Sequence, residues 1–276
     1  MTTVHFNQPR FLPALNYFQR MLIADVFVYR DDVQFQPSDW ENRNKIKTPG
    51  ARWIWLTAPV QNCSIGTNIR QARLTHSQEW QPKMLKAIRC NYGRAAHFDE
   101  WFPRIEKVLS HEFEFLTTLN WCLIDIFLEA WAISGCKFVM ASTLECQGDT
   151  DGILIAMCRK LGADHYLSGS EGRNYNRPEE WAKAGIKLSY HDYEPVEYPQ
   201  RHGPFLPWMS AIDLLMNCGS GGRKYLEPKL EMVGDPRLPV DMDKNDRLGQ
   251  DLGHVGLPSL GIKGLSPFWR FPAFCV

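Results

Sequence analysis

The chain has 276 residues, of which 44% are hydrophobic and 22% are charged, an ordinary composition for a soluble globular protein. Lys plus Arg and Asp plus Glu number 31 each, so no net field would steer the protein toward nucleic acid or an anionic membrane. The sequence has no secretory signal pattern and no run of the ~18 uncharged apolar residues that a membrane span needs, so we expect a cytoplasmic protein without membrane association.

The first half of the chain predicts strands and then helices. Residues 4–8 predict a strand that runs into a loop with two prolines, and Phe18, Met21 and Leu22 give the next helix an apolar face. Residues 25–29 predict the second strand. We expect two later segments to continue the same sheet, at residues 53–60 and 69–74. Three helices are predicted after them, at residues 80–91, 100–110 and 116–134.

Strands and helices alternate regularly after Gly135. The predicted strands are residues 137–141, 165–167 and 186–190, and the predicted helices are residues 150–161, 178–184 and 207–217. Such alternation indicates a parallel sheet with crossover helices. The predicted fold is therefore α/β, a three-layer, mainly parallel, Rossmann-like (nucleotidylyltransferase-like) sheet with helices on both faces and a helical insertion at about 78–134. Residues 1–222 form this domain, and residues 223–276 form a Pro- and Gly-rich extension that packs on the core or on a partner subunit.

Polar side chains stand at the carboxyl end of the first predicted strand. A helix N-terminus presents unpaired N–H groups, so a phosphate or carboxylate could dock there beside His5 and Gln8. His5 is a candidate general base, and Gln8 and Tyr17 are candidates to orient an acceptor. The alternative is that His5 is a core histidine with satisfied hydrogen bonds and that the prolines only shape a turn.

Acidic residues follow the second predicted strand. Asp31 or Asp32, with Gln34 nearby, could bind Mg²⁺ through water or remove a proton from an amine. The alternative is that one acid caps a turn and the other pairs with Arg30 or Arg43. The eight cysteines are dispersed without a CxxC pair, so we predict no metal site built on them.

A third cluster combines an aromatic residue, an amide and two cations, Trp40, Asn42, Arg43 and Lys45. An arginine fork beside a lysine suits phosphates or a carboxylate, and Trp40 could stack on a base or sugar face. The alternative is that these charged residues form an ordinary solvent-exposed surface without a ligand.

A fourth cluster follows a predicted strand, where small residues let backbone N–H groups approach an anion. Its members are Ser168, Gly169, Ser170 and Tyr175, and the spacing matches neither a Walker A loop nor a GxGxxG fingerprint. With Asp213 from the last predicted helix, this loop would form the second side of a cleft opposite the N-terminal clusters.

Five segments in this order resemble the WbqC-like family of bacterial proteins: HFNQPRFLPALNYF, ADVFVYRDDVQFQPSDWENRNKIK, HYLSGSEGRNY, YPQ and SAIDLLMNCG. The resemblance runs from about Val4 to Gly222. The chain departs from the family pattern at Asn16, where a glycine is usual, and at Gly152, where an arginine is usual. The second departure puts an anion contact from that helix in doubt.

The resemblance implies a place in surface-polysaccharide or natural-product biosynthesis and a glycyl or aminoacyl transferase role on amino sugars. We therefore expect an acyl or aminoacyl transferase, or an amide-forming enzyme, that acts on an amine of a small or nucleotide-linked substrate. The activated acyl donor would be an aminoacyl-tRNA, a carrier protein or an adenylate, and ATP with Mg²⁺ is a possible cofactor pair. The alternatives are an ATP-dependent nucleotidyltransferase and a non-catalytic module that binds a sugar nucleotide or a carrier. A homodimer is compatible with every alternative.

Overall fold

A computed structural model describes residues 1–61, 63–75 and 79–227. The strands in chain order are β1 (Thr3–Asn7), β2 (Val26–Tyr29), β3 (Arg43–Thr48), β4 (Arg52–Thr57), β5 (Lys137–Met140), β6 (His165–Gly169) and β7 (Lys187–His191). The α-helices are α1 (Leu15–Ile23), α2 (Trp80–Tyr92), α3 (Phe98–Leu109), α4 (Leu116–Ala130), α5 (Thr150–Lys160), α6 (Pro178–Lys183) and α7 (Ala211–Cys218).

Five strands form one parallel sheet in the order β5-β2-β1-β6-β7. From β1 the chain moves outward on one side through β2 to β5, and it then crosses to the other side of β1 for β6 and β7. The strand order therefore reverses between β1 and β6. In open α/β sheets such a reversal leaves a crevice at the carboxyl ends of the strands, because the two connections depart to opposite faces.

The two faces of the sheet bury separate apolar clusters. Val4 and Phe6 of β1 pack on one face with Leu154 of α5 and Trp181 of α6. The alternate residues of β2, such as Phe27, pack on the other face, where α1, α4 and α7 lie. This period of two is what a strand covered on both faces requires. The α/β prediction, with a parallel sheet between helical layers, is confirmed.

The hairpin of β3 and β4 corrects the prediction that residues 53–60 and 69–74 extend the main sheet. The two strands pair antiparallel with each other, from Arg43 opposite Thr57 to Thr48 opposite Arg52. Gly50, with a φ of +79°, allows the tight turn between them. Residues 69–71 form a single 3₁₀ turn instead of a strand. Most of the charged cluster at residues 40–47 belongs to strand β3.

The predicted helical insertion is present as α2 to α4, which pack with α7 against the α1 face of the sheet. Two helix boundaries differ from the prediction by more than two residues. Helix α4 ends at Ala130 instead of residue 134, and α7 starts at Ala211 instead of residue 207. Ser210 accounts for the later start, because its hydroxyl accepts a hydrogen bond from the Ile212 N–H and caps the helix.

The predicted extension over residues 223–276 lies outside the described residues from residue 228 onward. The seven cysteines within the described ranges are free thiols. None of the described helices combines the length and apolarity needed to cross a bilayer.

Candidate functional site

A cavity of about 830 Å³ opens beyond the carboxyl ends of β1 and β6, where the strand order reverses. Its walls come from the end of β1 and the loop after it, from the β3–β4 hairpin, from the start of α5, from the segment after β6 and from residues 206–209. A concave site of this size accommodates a ligand as large as a nucleotide. The position is where ligand sites of open α/β sheets form.

Four cationic side chains line this cavity, Arg10, Arg20, Arg30 and Lys45. Arg30 is paired, since its Nε lies 2.7 Å from Asp32 Oδ1. Within the described residues the other three have no ion pair, and Glu171 is the carboxylate in the cavity wall. The wall is therefore cationic, although the whole chain has no net charge.

Arg20 of α1 is held in the cavity wall by a buried hydrogen bond. Its Nε donates to His191 Nδ1 at 3.1 Å, and Arg20 is only 8% exposed. A β-carbon on Gly169 would approach the Arg20 Nη2 to 3.2 Å, so the glycine leaves room for the guanidinium. Burial, and then the nearby charge of Arg10, lower the pKa of Arg20 to about 10, which keeps it charged at neutral pH.

His191 completes a hydrogen-bonded chain that orients Arg20. Because Nδ1 accepts from Arg20, the proton of the neutral ring lies on Nε2, which donates to Gln19 Oε1 at 2.6 Å. Burial first, and then the charge of Arg20, lower the pKa of His191 to about 3. The ring is therefore neutral at physiological pH.

His5 of β1 is a second neutral histidine at the cavity. Its Nδ1 lies 2.7 Å from the Leu167 carbonyl oxygen, which can only accept, so Nδ1 carries the proton. Nε2 then carries the lone pair of the ring, which accepts a hydrogen bond from Asn7 Nδ2 at 3.3 Å. Burial, and then the charge of Arg20, lower the pKa of His5 well below its usual value. An imidazole fixed in one tautomer can accept a proton from a ligand.

Arg10 lies in the loop between β1 and α1. Its Nε is buried and has no hydrogen-bond partner among the described residues. The loop is fixed by side-chain amides, since Asn44 Nδ2 donates to the Leu12 carbonyl at 2.8 Å and Asn120 Nδ2 donates to the Pro9 carbonyl at 3.3 Å. A buried guanidinium N–H without a partner is costly, so Arg10 is prepared for an acceptor that a ligand supplies.

The hairpin contributes a lysine surrounded by tryptophans. Lys45 Nζ lies 5.5 Å, 5.1 Å and 5.9 Å from the ring centroids of Trp40, Trp53 and Trp55. Arg43 stacks over Trp55 at 4.2 Å. Cation–π attraction holds these long side chains in place without neutralising their charge. Lys45, Trp40 and Trp53 line the cavity, and Arg43 and Trp55 do not.

A buried lysine anchors the segment that leads to residues 206–209 of the cavity wall. Lys47 Nζ donates to Gln200 Oε1 at 3.0 Å, to the Gly203 carbonyl at 3.1 Å and to the Pro204 carbonyl at 2.5 Å. Lys47 lies next to the cavity-lining hairpin positions but is fully buried. Its ammonium therefore has a structural role.

Asp213 of α7 is linked to Gln200 through Tyr198, whose hydroxyl accepts a hydrogen bond from Gln200 Nε2 at 3.0 Å. Tyr92 Oη donates to Asp213 Oδ1 at 2.7 Å, and Tyr198 Oη donates to Asp213 Oδ2 at 2.9 Å. Burial raises the pKa of Asp213, and the two phenol hydrogen bonds oppose that rise. Both carboxylate oxygens are occupied inside the protein, and Asp213 is not part of the cavity wall.

Seven of the residues selected from the sequence line the cavity together. They are His5, Gln8, Trp40, Lys45, Gly169, Ser170 and Tyr175. The N-terminal clusters and the loop after β6 therefore do face one another across a cleft, because β1 and β6 are neighbours in the sheet.

The two acids selected as bases are engaged elsewhere. Both oxygens of Asp31 accept from Ser142, Oδ1 from the backbone N–H at 2.9 Å and Oδ2 from the hydroxyl at 2.7 Å. Asp31 thus caps the 3₁₀ turn after β5, and Asp32 pairs with Arg30. Neither lines the cavity. No group of three or more His, Cys, Asp or Glu side chains suited to a metal ion lies within residues 1–61, 63–75 and 79–227.

Three further selected residues also lie outside the cavity wall. Tyr17 supports the wall from behind, since its hydroxyl donates to the Gln8 carbonyl at 3.0 Å. Asn42 donates to the Ala58 carbonyl at 3.1 Å and fixes the start of the hairpin. Gln34 is exposed.

Ser168 supports the loop after β6 and is itself buried. Its Oγ accepts from Asn176 Nδ2 at 3.1 Å. A β-carbon on Gly172 would lie 2.0 Å from that Oγ and 2.7 Å from the amide nitrogen. The glycines of this loop therefore make room for Arg20 and for Ser168.

Several charged and aromatic cavity residues were not selected from the sequence: Arg10, Arg20, Arg30, Trp53 and Trp208. Arg10 carries a readable signal, since it is a cation in the loop directly after a strand. Arg20 and Trp208 carry no such signal. The local sequence does not show which way the side chain of a helical arginine points, or that a loop far along the chain packs at this cavity.

A comparison with protein-family profiles matches residues 8–225 to the profile described as "WbqC-like protein family". The chain is also similar to a protein of Mycobacterium tuberculosis (strain ATCC 25618 / H37Rv) named "Uncharacterized protein Rv1507c". The two are 31% identical over 232 residues, which cover 82% of this chain and 98% of the mycobacterial protein. No solved structure matches the chain significantly.

Proposed function

Since the chain belongs to the WbqC-like protein family, we propose that its cavity catalyses the transfer of an acyl or aminoacyl group to an amine of a phosphate-bearing substrate. The observation that supports this most is the neutral His5 imidazole at the cavity, close to the charge of Arg20. A base that accepts a proton and cations that hold an anion are the two requirements of amide formation from an activated acyl group.

The proposed reaction begins with attack of the substrate nitrogen on the carbonyl carbon of the acyl donor. A carbon–nitrogen bond forms, and the bond from that carbon to the leaving group breaks. The substrate nitrogen first replaces the Asn7 amide as the donor to His5 Nε2. His5 Nε2 then takes the proton that the nitrogen loses and passes it to the departing group. Because burial, and then the charge of Arg20, disfavour a positive His5, the protonated ring gives up the proton readily.

The cations have a separate part in this proposal. Arg20 is oriented by His191, and Arg10 has a buried Nε–H without a partner. Guanidinium groups placed in this way bind phosphate oxygens and stabilise the negative charge that develops on the carbonyl oxygen. We assign the base to His5 and not to Asp31 or Asp32, because those carboxylates are occupied by Ser142 and Arg30.

The proposal is tested by incubating purified protein with UDP-glucosamine as the amine and with three glycyl donors in turn. The donors are glycine with ATP, glycyl-tRNA and the glycyl thioester of pantetheine. Mass spectrometry that detects one added glycyl group with any donor supports the proposal and identifies the donor class. If transfer occurs, the His5→Gln variant should be at least about 100-fold slower. Equal rates in the two proteins would remove His5 from the mechanism.

A second candidate function is nucleotidyl transfer from ATP, which the same cationic wall supports because its arginines and lysine can also bind the phosphate oxygens of a nucleoside triphosphate. In that reaction an oxygen of the acceptor attacks the α-phosphorus and pyrophosphate leaves. Release of pyrophosphate in proportion to the amino acid added, with no glycyl transfer, would favour this candidate over the first.

A further inference from the structure

We infer that the cavity is built for a nucleoside diphosphate carrier, with the diphosphate on the cations of the wall and the base against an aromatic ring at the cavity mouth. The inference deepens the proposed function, because it names the group that carries the reacting amine. It depends on three features of the cavity: its charge, the aromatic side chains at its opening and the gradient of exposure between them.

The charge of the wall matches a diphosphate. Arg10, Arg20 and Lys45 have no ion pair within the described residues, and Glu171 opposes them. The two neutral histidines add nothing, since burial lowers the pKa of both His5 and His191. The excess of about two positive charges equals the two negative charges of a doubly esterified diphosphate. A single carboxylate would leave part of the charge unbalanced.

The cations are also arranged for phosphate and not only for charge. Arg20 is fixed by His191 through Nε, which leaves its terminal nitrogens directed past Gly169. Arg10 presents a buried Nε–H without a partner, and Lys45 is positioned by the surrounding tryptophans. Two guanidinium forks and one ammonium bind several oxygens at once, as the linked tetrahedra of a diphosphate require.

Three large aromatic side chains line the cavity and yet remain largely open to solvent. Trp53 is 43% exposed, Trp208 is 44% exposed and Tyr175 is 52% exposed. Exposed aromatic side chains that gather at one cavity are typical of a ligand-binding groove. A nucleobase is a flat ring that stacks on such a face with an energy of about 1–3 kcal/mol, which corresponds to a gain in affinity of about 5- to 150-fold.

Exposure decreases from these rings to the floor of the cavity. Arg20 is 8% exposed and His5 is 1% exposed. A ligand that follows this gradient has its base at the mouth, its diphosphate at the arginines and its far end beside His5. The far end of a nucleoside diphosphate conjugate is the sugar, which would bring an amino group of that sugar to the proposed base.

Binding is measured by isothermal titration calorimetry at fixed salt with UDP, dTDP, ADP and GDP, with inorganic pyrophosphate and with the matching nucleosides. We expect at least one nucleoside diphosphate to bind at least about tenfold more tightly than either pyrophosphate or its nucleoside, because both halves contribute. The inference is overturned if no nucleoside diphosphate binds more tightly than pyrophosphate.

Variants then assign the two halves. Trp208→Leu should weaken binding of the best nucleoside diphosphate while leaving pyrophosphate within about twofold. Trp53→Leu also removes a ring beside Lys45, so it should weaken binding of both ligands, of the nucleotide more than of pyrophosphate. The double variant should lose about tenfold in nucleotide affinity. Arg10→Gln should weaken both ligands at least about tenfold. Ile54→Ala is the control for the hairpin, since Ile54 is similarly exposed on the same strand but lies outside the cavity wall. Unchanged nucleotide binding in the double tryptophan variant contradicts the inference even if nucleotides bind.

The inference and the proposed function fail in different ways. If nucleoside diphosphates bind as predicted but no glycyl transfer occurs with any donor, the ligand class stands and the reaction is wrong. If glycyl transfer occurs on free glucosamine as efficiently as on UDP-glucosamine, the reaction stands and the carrier is wrong.

Discussion

The Nε of Arg20 donates to Nδ1 of His191 at 3.1 Å, across a separation of 171 residues in the chain. Arg20 comes from the first helix of the fold, and His191 ends the last strand of the sheet. The contact joins the two halves of the α/β domain at the cavity. It also couples a charged group to a neutral ring, so either residue can be changed to test the role of the other.

The first prediction concerns His191 as a positioning residue. His191→Leu removes the acceptor that orients Arg20, so the affinity for inorganic pyrophosphate should fall about tenfold, the effect of one lost hydrogen bond to a charged group. His191→Gln keeps an acceptor and should recover most of the affinity. Titration calorimetry of both variants checks this, and a purely structural role for His191 would leave the two variants equally impaired.

The exposed His111 provides the control, since His111→Leu changes a histidine outside the cavity wall. In a turnover assay, His191→Leu should raise the KM for the phosphate-bearing substrate more than it lowers kcat. A selective fall in kcat would show that His191 acts on the chemical step instead.

The second prediction is a loss of stability in acid that depends on His191. The pKa of His191 is lowered to about 3 in the folded protein and returns to about 6.5 on unfolding. The unfolded state therefore binds the proton first, and stability that is present above pH 6.5 is lost as the pH falls toward 3. One such group contributes a slope of up to about 1.4 kcal/mol per pH unit in that window.

Urea denaturation between pH 7 and pH 4 measures this slope. Carboxylates also titrate in this range, so the useful quantity is the difference between the wild-type protein and His191→Gln. The variant should lose less stability on acidification, by about 1 kcal/mol between pH 6 and pH 5. Parallel curves for the two proteins would show that His191 is not the group that titrates.

The third prediction concerns the loop after β6. Gly172→Ala places a β-carbon 2.0 Å from Ser168 Oγ and 2.7 Å from Asn176 Nδ2, so it should lower the free energy of unfolding by about 1–3 kcal/mol. Gly221→Ala is the matched control, because nothing lies within 4 Å of its β-carbon. Thermal denaturation compares the two. The double variant with Ser168→Ala should recover part of the loss, and no recovery would place the strain elsewhere.

The fourth prediction concerns the buried ammonium of Lys47. Lys47→Met removes the donor to the carbonyls of Gly203 and Pro204 and one of the two donors to Gln200 Oε1, which keeps the Leu206 N–H. The free energy of unfolding should therefore fall by about 1–3 kcal/mol. Lys83→Met, on the exposed side of α2, is the control and should change stability by less than about 0.5 kcal/mol. Equal stability of both variants would mean that Lys47 does not fix the segment before residues 206–209.

The sequence was most informative where regular alternation fixes the structure. The βα repeats after Gly135 predict the parallel sheet, because strand and helix periods, glycine caps and short connections all agree there. The prediction that residues 53–60 extend the main sheet was wrong. Strand Arg43–Thr48 alternates cations with buried residues, and strand Arg52–Thr57 is mostly exposed. This pattern predicts strands but does not show that the two pair with each other.

Within the candidate site, five of the seven residues found from the sequence lie in or just after β1 and β6, and Trp40 and Lys45 lie just before and in β3. His5 and Gly169 are examples, because ligands of open α/β sheets bind at the carboxyl ends of the strands, and strand ends can be predicted from the sequence. Asp31 occupies the corresponding place after β2 and was selected by the same rule. Its carboxylate instead caps the turn after β5, a contact across 111 residues that only the fold reveals.

The most direct test of the central claim is the single-turnover rate of glycyl transfer to UDP-glucosamine, compared between the wild-type protein and His5→Gln at saturating substrate. Our account predicts that both proteins bind UDP with Kd values within about threefold, and that transfer in the variant is at least about 100-fold slower. Equal transfer rates in the two proteins, at equal occupancy, would contradict it.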